Sequence, residues 1–511
     1  MKRFFKKLLI AAFIAGASPC LSPGGWAAMP NSLFSDNMVL QRDHPIPIWG
    51  TGKVGEQVTV SLGGNKASTT VQDGKWRVEL PPLPARGGPL DLQIQGETTV
   101  TIHNVLMGEV WLCSGQSNME RQLGPRKGQP EIENWQQEAA TANLPEIRAF
   151  IVPPRVDTQP LEDCKGHWTV CSQDEVTQHI SAVAFFMARA LYQHLHVPIG
   201  IIVASVGGTP GEAWVSREAL ESTPETASLI TDTDKAIAAY PQQLADYQQK
   251  APQLEADYEK QLQEAQLAGK PLPRKPSPPP RPNPLGRHYY GMITPLFGYP
   301  IKGIAWYQGE SNSKRGKQYQ TILSLLITEW RQHLGQAGQP DLPFLVVQIA
   351  PCPGNTPDVR EAELRVVKSL PNTALIVTAD VGDKELHPPK KRPVGERLAL
   401  AAQALAYGEK IEYSGPLFDS ATFADGKATV HFTHIGGGLV AKDGPLRGFE
   451  IAGDDGKFMP ALAEIAGDTL QVSSDKVTSP TAVRYGWINF PDVNLFNQNG
   501  LPASPFCSND Y

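Results

Sequence analysis

VWLCSGQSNME (Val110–Glu120) runs an apolar stretch, Val110–Cys113, directly into a glycine, a hydroxyl and two amides at Gly115, Gln116, Ser117 and Asn118. The apolar run predicts a buried strand, and the polar residues predict a sharp turn into a helix. Either the stretch is an ordinary turn with a capping serine, or it holds a nucleophile where a strand stops. The choice rests on what the rest of the chain delivers to the same place.

Downstream, strand and helix patterns alternate. Helical spacing at Ser181–His194 is followed by an apolar run at Ile201–Ala204. Then come strand Ile301–Trp306, helix Tyr319–His333, strand Phe344–Ile349, helix Val359–Leu370, strand Ala374–Thr378 and helix Val394–Tyr407. Such alternation predicts an α/β fold, a parallel sheet covered on both faces, with ligands bound at the carboxyl ends of its strands. Four polar clusters fall at such ends: Ser117, then ASVGGTPGEAW (Ala204–Trp214), WYQGESN (Trp306–Asn312) and DVGDKELHPPKKRP (Asp380–Pro393).

These residue types suit acyl transfer. A serine hydroxyl needs a base, and His387 is the candidate. The oxyanion needs donors, for which the backbone N–H groups of Ser117 and Gly208 and a side-chain amide from Gln308 or Asn312 are candidates. Taken singly, each has a plainer reading: a capping serine, a glycine turn, loop amides, a surface histidine before a helix. His431 and His434 lie three apart on a predicted strand and face opposite sides, which argues against a shared metal ion.

Outside this core, alternating residues from Met29 to Asn104 and a turn at Asp73-Gly74 predict a small sandwich-like β module over 29–106. The last hundred residues return to β character and predict a C-terminal module over 411–511, leaving 107–410 as the α/β domain. Residues 217–283 interrupt that domain. Ile237, Tyr240, Leu244, Tyr247, Ala251, Leu254 and Tyr258 form a short 3,4-spaced seam, and Pro241 and Pro252 predict that it breaks into a helical hairpin. KPLPRKPSPPPRPNP then predicts a stiff extended arm.

Charge and address bound the rest. The chain of 511 residues has a formal net charge of −6 and no long basic run beyond its start, which argues against a nucleic-acid partner. Lys2, Arg3, Lys6 and Lys7 before the apolar run Leu8–Ala17 predict an export signal over 1–28, and hence a secreted or periplasmic protein; no segment is long enough for a membrane span. In an oxidising compartment Cys164 and Cys171 are placed either to close a small disulfide loop or to remain as buried thiols.

SGQSNM, WYQGESN and the His-Pro ahead of VGERLA resemble the sialate O-acetylesterase family of the SGNH hydrolases. LFSDNMVLQRDHPIPIWG near the start and RYGWINFPDVNLFNQNGLPASPF near the end extend the resemblance over most of the chain. It implies a three-layer α/β/α, flavodoxin-like catalytic domain with accessory β-sandwich-like modules. It also implies hydrolysis of O-acetyl groups on sugars, typically sialic acids, without metal or cofactor. By that match Ser117 is the nucleophile, His387 the general base, and Gly208 and Gln308 contribute to the oxyanion hole. Gln116, Asn312 and Trp214 are candidates for binding the sugar, and Glu310 for bracing its loop. The acid expected three residues before the histidine is Lys384 here, so Asp383, Glu385, Asp380 or a backbone carbonyl must orient the ring. An acetyl xylan esterase and a catalytically inert glycan-binding protein are the competing expectations.

Overall fold

The computed structural model describes residues 27–85, 88–335 and 341–510. The predicted export signal lies almost wholly outside the described residues. At the centre is β1 (Thr99–Gly115), a 17-residue strand much longer than its apolar core. Its first half pairs antiparallel with Leu90–Gln95 in the N-terminal sheet. Its second half is the central strand of a parallel sheet. Around it lie β2 (Ile147–Ile151), β3 (Trp168–Val170), β4 (Ile199–Ser205), β5 (Gly303–Tyr307), β6 (Phe344–Val347) and β7 (Thr373–Ile376). Their order is β3-β2-β4-β1-β5-β6-β7, with only β3 antiparallel. From β1 the chain first completes one side, laying down β2 and β3 before β4 comes in beside β1, and then builds outward on the other, which makes the carboxyl end of β1 the point where the strand order reverses.

Two layers of helix cover this sheet. Helix α1 (Ser117–Glu120) is a single turn directly after β1. On one face α2 (Ala182–Leu195) packs with α6 (Arg392–Tyr407), where Phe186, Met187, Leu398 and Ala402 meet Trp111, Ala305, Leu345 and Ala374. On the other, α4 (Gly316–Leu334) and α5 (Pro357–Ser369) set Ile322, Leu326, Trp330 and Val366 against Leu112, Ile304, Trp306 and Val346. Strand residues therefore alternate between two apolar layers, as a parallel sheet buried on both faces requires. The α/β/α expectation holds.

The insertion differs from expectation. Ala227–Leu267 is one helix, α3, of 41 residues with Pro241 and Pro252 inside it and no buried side chain. Each proline removes one N–H from the helical ladder. Eleven residues is close to three helical turns, so both sit on the same side of the rod and the ladder closes again after each. Along the returning arm Pro273, Pro276, Pro279 and Pro282 are half-buried, every third residue. That is the period of a polyproline helix. Tyr240, Leu244, Tyr247, Ala251 and Tyr258 of the helical seam are half-buried too. The matched half-burial is that of a polyproline arm lying along the seam, so the hairpin is one helix and one extended arm.

At the C-terminal end the strands form their own sheets, none paired with the N-terminal strands among the described residues. Ser504 Oγ accepts from Gln348 Nε2 at 2.9 Å and Cys507 N–H donates to Glu361 Oε2 at 3.0 Å, fastening this region to β6 and α5. Cys164 and Cys171 are buried free thiols, and burial pushes both up to about 12. The loop disulfide is not formed.

Candidate active site

Gly115 fixes the turn that carries Ser117. Its φ is +139°, and a Cβ there would lie 2.1 Å from the Tyr307 carbonyl oxygen. Only glycine lets β1 and β5 close at this level. In register, Gly115 stands beside Ser205 of β4 and Tyr307 of β5, so three strands end at the same height. Ser117 opens the α1 turn immediately above them and is almost fully buried. As the first residue of that turn, its N–H has no partner within it.

From β4, Gly207 lies against Ser117: a Cβ on Gly207 would be 3.2 Å from that of Ser117. Glu120 Oε2 accepts the Gly207 N–H at 2.5 Å, and Arg126 holds the other carboxylate oxygen at 2.9 Å. Gly208 follows with φ +71°, exposed and with open space where a side chain would stand. Glu120 thus anchors the glycine turn to the helix that carries Ser117. The sequence reading missed it.

Beyond β5 the arrangement departs from expectation. Gln308 is fully buried, and its Nε2 lies 2.8 Å from Asn312 Oδ1 and 3.2 Å from both Gln116 Oε1 and the Thr209 carbonyl. Asn312 Oδ1 also accepts from Gly211 N–H, while its Nδ2 donates to Glu212 Oε2 at 2.9 Å. Gln116 Oε1 accepts from Ser311 N–H at 3.3 Å. Gln308 Nε2, both polar atoms of Asn312 and the Gln116 Oε1 are taken up in tying the β1, β4 and β5 loops together. Those bonds, rather than an oxyanion or a sugar, occupy the Gln308 and Asn312 donors. Trp214 is also internal, donating from its ring nitrogen to Thr209 Oγ1 at 2.9 Å and packing 4.9 Å from the His288 ring. It is core, not a sugar platform.

The His387 loop reaches the site after β7. Asn118, next to Ser117, donates to the carbonyl of Leu386, next to His387, at 3.2 Å. The same Nδ2 donates to Glu310 Oε1 at 2.5 Å, and Asn118 Oδ1 accepts from Lys391 Nζ at 2.5 Å. One amide therefore joins the Ser117 turn, the β5 loop and the His387 loop. Burial drives both charged partners toward neutrality: Glu310 is raised, and Lys391 is pushed down to about 7. Glu310 braces its loop as expected, whereas Asn118 and Lys391 look like a turn residue and a surface cation in the sequence.

His387 is half-buried, and its Nε2 is buried with no hydrogen-bond partner, Ser117 included. Its pKa is lowered by desolvation first, then by Lys391, Arg126 and Arg121, with the Glu120 carboxylate opposing. The predicted orienting acids do not pair with it. Asp383 Oδ1 accepts from Lys384 N–H, and Asp380 is held bidentate by Arg397 at 2.7 and 2.6 Å. Glu385 is exposed.

A serine turn, a glycine turn and a histidine loop at the level carboxyl ends of a three-layer α/β/α sheet are the layout of a carboxylic ester hydrolase. The sequence profile described as carbohydrate esterase, sialic acid-specific acetylesterase, matches residues 291–404. Sialate O-acetylesterase from Rattus norvegicus is 30% identical over 530 residues, covering 93% of each chain. That from Homo sapiens is 29% identical over 93% of this chain and 91% of its own. A crystal structure of a carbohydrate acetylesterase from Xanthomonas citri superposes with a TM-score of 0.79 at 33% identity, covering 95% of this chain and all of that one. The chain belongs to the sialate O-acetylesterase family.

Proposed function

We propose that the protein removes O-acetyl groups from sugars, with acetylated sialic acid as the preferred class, using Ser117 as nucleophile and His387 as general base. The observation that carries the assignment is the Asn118–Leu386 hydrogen bond, which brackets the two residues from their neighbours. The unpartnered Nε2 of His387 supports it, because a buried ring nitrogen without a partner is costly unless a reacting group completes it. The Ser117–His387 bond forms as substrate enters, a common tightening in hydrolases.

In the reaction His387 Nε2 takes the Ser117 proton while Oγ adds to the acetyl carbonyl. The oxyanion is met by the N–H groups of Ser117 and Gly208, and Glu120 holds the Gly207 peptide so that the next one stays in place. The tetrahedral intermediate collapses as His387 returns the proton to the departing sugar oxygen. Water, deprotonated by the same nitrogen, then attacks the acetyl-serine and releases acetate. Neutral His387 is the active form, and burial, followed by the cations around it, lowers its pKa and so favours that form.

Ser117→Ala is expected to abolish acetate release and labelling by a fluorophosphonate, with an unchanged unfolding midpoint. Retained turnover would end the assignment. Acetate release from acetylated sialic acids compared with acetylated xylan tests the sugar class. The amino-terminal pattern supports export, and amino-terminal sequencing of the mature protein, expected to begin near Met29, tests it.

A further inference from the structure

A second cleft lies away from the reaction centre. It has a volume of about 720 Å³ and is walled on one side by strands Ile46–Thr51 and Lys75–Leu80 of a separate three-stranded sheet together with Thr69 and Thr70, and by residues 160–163, Thr294 and Phe297 on the other. None of its lining residues belongs to the Ser117 turn, the Gly207-Gly208 turn, the Gln308–Asn312 loop or the His387 loop.

Its charges are uneven. Lys75 Nζ pairs with Glu162 Oε1 at 2.5 Å across the cleft. Asp163 is satisfied by Ser32 N–H and Oγ at 3.1 and 3.0 Å and by Cys164 N–H at 2.8 Å. Both carboxylates are thereby answered. Arg77 has no carboxylate partner among the described residues, and its guanidinium lies over Trp49, 5.4 Å from the ring centroid. Trp49 and Arg77 face each other across neighbouring strands, and Phe34 packs edge-on against Trp49 at 4.6 Å. A guanidinium held over an anchored ring has less freedom left to lose when an anion arrives. Gly298 meets the Arg77 Nη1 from the opposite wall, so that fork spans the cleft.

We propose that this cleft is a non-catalytic binding site for a carboxylate-bearing oligosaccharide, with Arg77 gripping the carboxylate bidentately. Trp49 and Phe297 supply apolar surface for the sugar ring, and Thr51 and Thr69 supply hydroxyls for its polar edge. A neutral sugar leaves the guanidinium unanswered, so selectivity for the acidic glycan follows from the same residue. The site would hold a polymeric acidic glycan on the enzyme between turnovers. It does not depend on the role of Ser117.

Calorimetric titration of the full chain with 3′-sialyllactose, with lactose as the neutral control, tests this. Binding of the acidic sugar is expected to exceed that of lactose by about tenfold or more, and Arg77→Ala to weaken it by about the same factor. Hydrolysis of 4-nitrophenyl acetate and the unfolding midpoint should not change in the variant, because Arg77 is exposed and its cleft includes none of the residues around Ser117. Absence of binding, equal affinity for both sugars, or binding that survives Arg77→Ala and competes with ester hydrolysis would each overturn the proposal. The last result would place the sugar in the reaction crevice instead.

Discussion

Replacing Asn118 by alanine tests the claim that one side chain holds the reaction centre together. The change removes two donated bonds, to Glu310 Oε1 and the Leu386 carbonyl, and one accepted from Lys391. A buried donor or acceptor left without a partner costs ~1–3 kcal/mol, more if charged. Three such groups would cost about 3–9 kcal/mol if nothing relaxed. Both charged partners are already driven toward their neutral forms, and the vacated volume is about that of one water, which can restore part of the bonding. The net expectation is a loss of about 3 kcal/mol, read by urea unfolding. Activity should fall further than stability implies. With the Leu386 tether gone, His387 is no longer fixed over the nucleophile turn, and a displacement near 1 Å costs about 100-fold in rate. That loss should appear in kcat on a small acetyl ester, with KM changed by less than about threefold. Asn118→Asp keeps the acceptor for Lys391 but loses both donors, so it should fall between the two. If Asn118→Ala unfolds within 1 kcal/mol of the parent and keeps kcat within a factor of two, the tether is not what positions His387.

Three further outcomes follow from the electrostatics. Because burial and nearby cations lower His387, the acid limb of kcat/KM should lie below the ordinary histidine value, and Glu120→Gln, which removes the one opposing carboxylate, should move it lower still. Asp383→Asn and Glu385→Gln should each leave kcat within about threefold, since neither side chain pairs with His387, whereas Asp380→Asn should cost ~1–2 kcal/mol of stability by releasing Arg397. Lys391 binds its proton less readily when folded, so between about pH 7 and its ordinary value of 10.5 the unfolded chain holds more protons and stability rises with pH; subtracting the profile of Lys391→Met, measured by unfolding across that range, should isolate the rise.

The strands that carry the site were readable because a parallel sheet buried on both faces leaves short, nearly continuous apolar runs, and Val110–Cys113, Ile201–Ala204 and Ala374–Thr378 are of that kind. β2 escaped notice: Ile147–Ile151 contains Arg148, whose charge breaks the run, although its side chain is buried and donates to the Pro145 carbonyl. The insertion was misread because a proline rule drawn from single helical turns underestimates a long helix with a supporting arm. Within the site, the glycine and serine turns and the histidine showed themselves through position at strand ends. The bracing roles of Gln308, Asn312 and Gln116 did not, since an amide reads the same whether it faces a substrate or three neighbouring loops. Lys391, beside Lys390 in a polar stretch, gave no sign of burial. Burial there depends on the fold of residues hundreds of positions away, which no local pattern encodes.

β1 has a consequence for how the molecule can be divided. At about 3.3 Å per residue it is a rod of about 55 Å, one end knitted into the N-terminal sheet and the other running into the Ser117 turn. A cut before Leu106 would part the two sheets that the strand joins and take Leu106–Gly108 away from Val39–Gln41, baring that short strand. A pull applied to the amino-terminal portion would travel along covalent backbone to residue 117, so loosening the peripheral sheet and slackening the Ser117 turn become one event.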